Sequence, residues 1–88
     1  MRKIQKLGAE ITLLDVELLK FLNKRGILSQ QIGKEKIRLN NPILVPQRGT
    51  QILEQIKKLN TGPYTPQMIE DVYRLIFKIR RELQKDSI

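Results

Sequence analysis

The sequence predicts an all-α fold in which three helices follow one another and the first is very long. Residues 2–39 contain no proline, and their apolar side chains recur at spacings of three and four, which is typical of an amphipathic helix. No segment has the strict alternation of a half-buried strand. The apolar stripe of the first helix consists of Ile4, Leu7, Ile11, Leu14, Leu18, Phe21, Leu22, Leu28 and Ile32.

Helix-ending signals separate the three elements. The Asn-Asn-Pro run at residues 40–42 predicts the end of the first helix, and two prolines make residues 41–47 a loop. A second helix is predicted over roughly 48–60, before an Asn-Thr-Gly-Pro turn. Thr65 followed by Pro66 predicts an N-cap and a first helical position, and the third helix extends to about Gln84.

The length of the first helix predicts a dimer. A continuous helix over 2–39 is roughly 55 Å long at 1.5 Å per residue, whereas a compact domain of this size has a radius of gyration of about 12 Å. The overhanging apolar stripe needs a cover, which a second copy related by a two-fold axis supplies. In the alternative, Gly26 is a turn, and the chain is a monomeric four-helix bundle.

Composition indicates a single domain over residues 1–88 that binds anions. The chain has 17 Lys and Arg against 9 Asp and Glu, a net charge of +8, and neither cysteine nor histidine. It therefore lacks disulfides, thiolate chemistry and the commonest metal ligand, and we expect no metal or cofactor. The charged N-terminal segment does not match a secretory leader, and no apolar stretch predicts a membrane span, so we expect a cytoplasmic protein. The basic charge suits nucleic acid or a small anionic ligand as a partner, or only keeps the surface soluble.

Polar side chains interrupt the apolar faces at a few positions. Arg25 and Lys36 are eleven residues apart, about three turns, and share the core face of the first helix. Near the end of the third helix, Gln84 follows Arg80 by four residues on the inner stripe. These groups could instead extend to solvent, pair with nearby glutamates (Glu17 or Glu35), or belong to a frayed last turn.

Together with Arg48 at the start of the second helix, these groups predict a pocket for a dianion. Three helices would each bring a guanidinium, ammonium or amide group to the edge of an apolar face, and such donors suit a dicarboxylate. The pocket would hold no nucleophile, metal or titratable base. Its chemistry would therefore be limited to electrostatic stabilisation and positioning.

Four segments carry a resemblance to a known family: LLDVELLKFLNKRGILSQQIGKEK (13–36), NPILVPQR (41–48), LNTGPYTPQMIEDVYRLIFKI (59–79) and ELQ (82–84). Over nearly its whole length the chain resembles the all-helical class of chorismate mutases. The GPYTP segment looks most like the mutase domains fused to the first enzyme of the shikimate pathway, so a fused or associated shikimate-pathway enzyme is a further expected partner.

The resemblance implies a domain-swapped, intertwined homodimer of three-helix chains. The family converts chorismate, a dicarboxylate, to prephenate by a Claisen rearrangement in phenylalanine and tyrosine biosynthesis, without a cofactor. By position, Arg25 and Arg48 match arginines that bind the substrate carboxylates. Lys36 and Gln84 match the pair that donates hydrogen bonds to the ether oxygen, where negative charge develops.

The chain departs from the family pattern at three positions. Gly8 stands where the family usually has an arginine that reaches into the partner's site, and Val45 and Gly49 stand where it usually has Asp and Glu. Arg80 falls where the family has a small or hydroxylated residue facing the ligand. We therefore expect Arg80 to supply part of the positive charge lost at Gly8, and activity to be reduced.

Two other functions remain open on sequence alone. The lost pocket residues favour a non-catalytic regulatory domain that binds chorismate or prephenate, whereas the retained Arg25, Lys36, Arg48 and Gln84 favour the enzyme. The basic charge would suit a nucleic-acid binder. However, the four aromatic side chains offer no obvious stacking platform, which makes nucleic acid an unfavoured partner.

Overall fold

Three helices make up the structure, a computed structural model that describes residues 1–40 and 46–86, with side chains for 1–40 and 49–84. Helix α1 spans Arg2–Arg38, α2 spans Pro46–Leu59 and α3 spans Pro66–Asp86. The described residues contain no strand. The prediction of an all-α chain with a very long first helix is confirmed.

Helix α1 is continuous through Gly26, so the alternative of a turn there is wrong. A Cβ atom at Gly26 would lie 3.3 Å from the Leu83 side chain of α3, so the glycine allows close approach of two helices. The helix ends where Asn40 adopts a positive φ of 58°, a conformation that asparagine tolerates better than most residues. The predicted end at residues 40–42 agrees with this as far as Asn40.

Helix α2 begins two residues earlier than the sequence predicted. Pro46 occupies its first position, where a fixed φ and a missing N–H suit a helix start. The predicted loop over 41–47 is therefore too long at its C-terminal end, and residues 41–45 lie outside the described part of the chain.

The connection between α2 and α3 is organised by side-chain hydrogen bonds. The Asn60 amide donates to the Tyr64 carbonyl at 2.9 Å and accepts from the Gly62 N–H at 3.1 Å. The Thr65 hydroxyl then accepts from the Met68 N–H at 3.1 Å. Since Met68 is the third residue of α3, this bond confirms the predicted N-cap.

Helix α3 packs against both other helices. Leu53 of α2 and Phe77 of α3 are the buried apolar side chains among the described residues. Glu70 joins α3 to α2 by accepting from the Lys57 ammonium at 3.0 Å, and Arg74 lies 3.4 Å from the same carboxylate oxygen. The hydrogen bond from Lys57, followed by that from Arg74, lowers the pKa of Glu70 below its ordinary value.

The first half of α1 extends beyond the other two helices. The chain measures 57 × 24 × 16 Å with a radius of gyration of 16.3 Å, well above the value of a compact domain of its size. Large apolar side chains along this half of the helix are exposed, between 48% at Leu7 and 70% at Ile4. The predicted overhang is confirmed.

A second exposed apolar stripe runs along α3, at Met68, Val72, Leu75 and Ile79. These residues recur at helical spacing and so share one side of the helix. A single chain thus leaves two apolar helix faces uncovered.

The described residues offer neither a membrane span nor an acidic metal site. Among the described helices, none combines the length and apolar character that crossing a bilayer requires. The same residues contain no group of three or more acidic side chains placed to hold a metal ion.

Candidate functional site

A cavity of about 560 Å³ opens between α1 and α3, beyond the point where the exposed half of α1 ends. Its lining is mostly apolar and includes two guanidinium groups. Helix α1 contributes Leu22, Asn23, Arg25, Gly26, Ile27, Ser29 and Gln30, and α3 contributes Ile76, Ile79, Arg80 and Leu83.

Arg25 and Arg80, both predicted site residues, come together in this cavity. Arg25 reaches it from α1, and Arg80 from α3. Each guanidinium lies over the ring of Phe77, with its central carbon 5.7 Å from the ring centroid for Arg25 and 4.9 Å for Arg80. Two cations on separate helices therefore share one aromatic platform.

Arg25 does not form the ion pair that the alternative interpretation required. In the part of the chain with described side chains, no carboxylate lies within salt-bridge distance of its guanidinium. Glu35 instead binds Arg38, whose Nε donates to its Oε1 at 3.0 Å, and this hydrogen bond raises the pKa of Arg38. The charge of Arg25 thus remains available to an anion in the cavity.

Ser29 is a lining residue that sequence reasoning missed. Its side chain is buried, and its hydroxyl donates to the Arg25 carbonyl at 2.9 Å. This bond to the preceding turn is common for serine inside a helix. Since Ser29 follows Arg25 by four residues on the same face, its polarity within the apolar stripe was the available signal.

Gln84 of α3 is buried against α1 at Gly33. A Cβ atom at Gly33 would lie 3.1 Å from both the Cα and the carbonyl oxygen of Gln84, which is tighter than an ordinary contact, so a side chain there would press against the backbone of α3. The Gln84 side chain is 4% exposed, and no fully buried polar side-chain atom among the described residues lacks a hydrogen-bond partner. Lys36 is half-buried on α1, three residues after Gly33. Neither Lys36 nor Gln84 lines the cavity itself.

The remaining predicted positions are divided between described and undescribed parts of the chain. Arg48 lies in the first turn of α2, but its side chain is outside the described residues, as is Val45 entirely. A Cβ atom at the neighbouring Gly49 would lie 3.7 Å from the Phe77 ring, an ordinary contact. Apart from its chain neighbours and the backbone of its own helix, no described atom lies within 4 Å of a Cβ placed at Gly8, on the exposed half of α1.

The chemistry of this arrangement is that of an anion receptor. Two guanidinium groups lie among apolar walls, and the described lining contains no carboxylate, thiol or imidazole. Such a site can bind and orient a carboxylate-bearing ligand and stabilise negative charge that develops on it.

Comparison with known proteins assigns the family. A model of the family described as chorismate mutase type II matches residues 7–85, which is nearly the whole chain. This chain belongs to the chorismate mutase type II family. The resemblance drawn from the four sequence segments is therefore confirmed.

One curated relative is the bifunctional chorismate mutase/prephenate dehydratase of Aquifex aeolicus (strain VF5). It is 35% identical over 97% of this chain. The chain spans only about a quarter (25%) of the length of that relative. Its name couples the mutase with prephenate dehydratase, a different second activity from that suggested by the GPYTP segment.

Solved structures of chorismate mutases share the fold. Form II of the enzyme from Thermus thermophilus matches with a TM-score of 0.93 and 31% identity, over 94% of each chain. The Helicobacter pylori enzyme, solved in complex with prephenate, matches with a TM-score of 0.89 and 29% identity, over 99% of this chain and 94% of that one.

Proposed function

We propose that this protein is a chorismate mutase, an isomerase that converts chorismate to prephenate in aromatic amino acid biosynthesis. The observation that carries the proposal is the match of the type II family over residues 7–85, which includes both arginines that meet in the cavity. A nucleic-acid partner has no comparable support.

Arg25, Arg48 and Arg80 bind the substrate carboxylates in this proposal. Arg25 and Arg80 face one cavity from two helices, so between them they can hold a dicarboxylate in one orientation. Arg48 is assigned by its position in the family pattern alone. Fixing the substrate in a reactive conformation removes much of the entropic part of the barrier.

Lys36 and Gln84 stabilise the charge that develops during the reaction. One carbon–oxygen bond breaks and one carbon–carbon bond forms within the same molecule, so no proton transfer or cofactor is needed. As the ether oxygen becomes negative, the Lys36 ammonium and the Gln84 amide donate hydrogen bonds to it. Removal of a donor aimed at developing charge typically costs 10²- to 10³-fold in kcat.

An intertwined homodimer completes the proposal. Its support is the pair of uncovered apolar stripes, one on the first half of α1 and one on α3. Pairing of long helices from two chains would cover both faces. A cysteine-free composition agrees with a cytoplasmic enzyme, and the bifunctional relative supports a fused or associated enzyme of the same pathway.

Activity is expected to be lower than the family norm because three pocket positions lack their usual polar groups. Gly8 contributes no side chain toward a neighbouring site, and Gly49 contributes no carboxylate beside Phe77. A non-catalytic domain that binds prephenate for regulation would share these losses.

Two measurements on the purified protein separate these functions. Loss of the ultraviolet absorbance of chorismate reports turnover, and calorimetry with prephenate reports binding. Turnover supports the enzyme, and prephenate binding without turnover supports the regulatory domain. A protein that neither converts chorismate nor binds prephenate contradicts both.

Restoring the missing acids tests the cause of a low rate. Gly49→Glu is sterically plausible, since the contact of its Cβ with Phe77 is an ordinary one. We expect kcat/KM to rise in Gly49→Glu, alone or with Val45→Asp. Unchanged rates would mean that these acids are not what limits the site.

A further inference from the structure

Phe77 lies where groups from all three helices meet. Its side chain is only 7% exposed, and it carries the guanidinium groups of Arg25 and Arg80 over its ring. The ring of Tyr73 lies 6.1 Å away at a tilt of 57°, a favourable aromatic geometry that holds the Phe77 ring in place. The start of α2 abuts the same ring at Gly49.

We propose that Phe77 is a positioning residue for substrate binding, because its ring holds two like-charged guanidinium groups in place before the ligand arrives. This inference rests on the proposed function. The like charges of Arg25 and Arg80 repel each other, and their long side chains gain entropy when they extend toward solvent. The negative face of the ring opposes both tendencies, since it attracts each cation within the range of a cation–π interaction.

An aromatic ring is a better partner than a carboxylate for this purpose. A carboxylate between the arginines would neutralise their charge and would compete with the dianion for the same N–H groups. The neutral ring adds no negative charge and does not itself accept the N–H hydrogen bonds that an oxygen ligand needs. The site thereby avoids part of the cost of ordering its side chains on binding.

The experiment changes the electronics of the ring but keeps its shape. Site-specific replacement of Phe77 by pentafluorophenylalanine reverses the quadrupole, so the ring should no longer attract either guanidinium. We expect the KM for chorismate and the Kd for prephenate to rise about tenfold, since each cation–π contact contributes a factor of a few. The kcat should change little, as expected when binding is lost equally from ground and transition states.

The matched control is the same replacement at Phe21. Its ring carries the Lys24 ammonium at 5.7 Å, the same distance as that of Arg25 from Phe77, but it lies outside the cavity. We expect its KM and Kd to equal those of the wild type. Both fluorinated proteins lose cation–π attraction in the folded state, so each should melt slightly below the wild type, and a rise in KM and Kd at Phe77 alone separates positioning from stability.

A second pair of variants covers the case in which the fluorinated protein does not fold. Phe77→Leu keeps an apolar side chain without a ring, and Phe77→Tyr restores the ring. The KM and Kd should rise in Phe77→Leu and return toward the wild-type values in Phe77→Tyr. Nitrogen-15 spectra of the arginine Nε–H groups should show Arg25 and Arg80 becoming mobile in Phe77→Leu alone.

The outcomes distinguish this inference from the proposed function. A wild type that converts chorismate, with unchanged KM and Kd in the variants that lack an attractive ring, overturns the role of Phe77 and leaves the enzyme standing. A wild type that binds prephenate without turnover overturns the enzyme, and the change in Kd then decides the role of Phe77. A wild type that does neither overturns both.

Discussion

The glycines of α1 differ in what surrounds them, and one of them sets the position of a proposed catalytic group. Space around Gly8 is open, and Gly26 faces the flexible end of Leu83 at 3.3 Å. Gly33 instead faces the backbone of Gln84 at 3.1 Å, which cannot move without the helix. The separation of α1 and α3 at Gln84 therefore depends on the missing Cβ of Gly33.

Gly33→Ala should lower both stability and activity. The added methyl group forces the two helices apart, and overpacking of this kind costs about 1–3 kcal/mol in unfolding free energy. The kcat should fall because Gln84 moves with α3. Urea denaturation and initial rates with chorismate measure the two effects.

Gly8→Ala is the control for that substitution. Within one chain the same methyl group meets no neighbouring side chain or helix within 4 Å, so no clash opposes the higher helix propensity of alanine, and stability should rise by roughly 0.5–1 kcal/mol. Equal changes in unfolding free energy and kcat in Gly8→Ala and Gly33→Ala would contradict the steric role of Gly33.

Arg80→Ala should raise the KM for chorismate far above that of the wild type. Loss of a charged contact to a buried carboxylate costs a few kcal/mol, or roughly 10²-fold in kcat/KM. The neighbouring Arg81 is exposed and outside the cavity lining, so Arg81→Ala should behave as the wild type. An unchanged KM and kcat in Arg80→Ala would contradict the hypothesis that Arg80 replaces part of the positive charge missing at Gly8.

At the scale of elements, a charged cluster and the apolar face of α2 both hold α2 against α3. Glu70 binds Lys57 across the interface and Arg74 one turn along its own helix, while Leu53 supplies the buried apolar contact. Both cations lower the pKa of Glu70. The stability of the interface between α2 and α3 should therefore depend on pH.

Stability should fall in acid partly through Glu70. Because folding lowers its pKa, the stabilising contribution is complete above the unfolded-state pKa and is lost as the pH falls through the folded-state pKa. Glu70→Gln should melt slightly below the wild type at neutral pH, and the difference should vanish in acid.

Glu54→Gln is the matched control for this pH dependence. Glu54 lies 3.7 Å from the same Lys57 ammonium, but its side chain is 60% exposed, so its removal should have a smaller effect at every pH. A pH-independent difference between Glu70→Gln and the wild type would contradict the assigned role.

At the scale of the whole molecule, one chain cannot cover its own apolar surface. Helix α3 is shorter than α1 and packs along part of it, leaving the other end of the stripe exposed. Apolar side chains are exposed along much of α1, whereas Leu53 and Phe77 are the buried apolar side chains among the described residues. Association with a second copy is the simplest way to bury that surface.

Leu14→Glu should convert the proposed dimer to a monomer. A charge in the middle of the stripe would remain unpaired at the helix interface, which is strongly unfavourable. Light scattering should report a mass near 10.3 kDa for this variant and about twice that for the wild type.

Val16→Glu introduces the same charge on the other side of α1. Val16 is two residues from both Leu14 and Leu18, so it points away from their stripe, and its variant should remain dimeric. A monomeric wild type would exclude the intertwined assembly.

The sequence by itself determined the helices and much of the candidate site. Helix formation depends on neighbours a few residues away, so apolar spacing and proline positions predicted α1 and the start of α3. Arg25 and Arg80 were found as charges on apolar stripes, and the structure places both in one cavity.

Only the tertiary structure decided what lies between the helices. Gly26 lies against Leu83, Gly33 against Gln84, and Arg25 over the ring of Phe77. The two residues of each pair are more than fifty positions apart in the sequence. Sequence periodicity places Phe77 on a core face, but it cannot say that Arg25 of another helix lies over the ring. That pairing depends on how closely α1 approaches α3, which the glycines of α1 and the side chains of α3 set together.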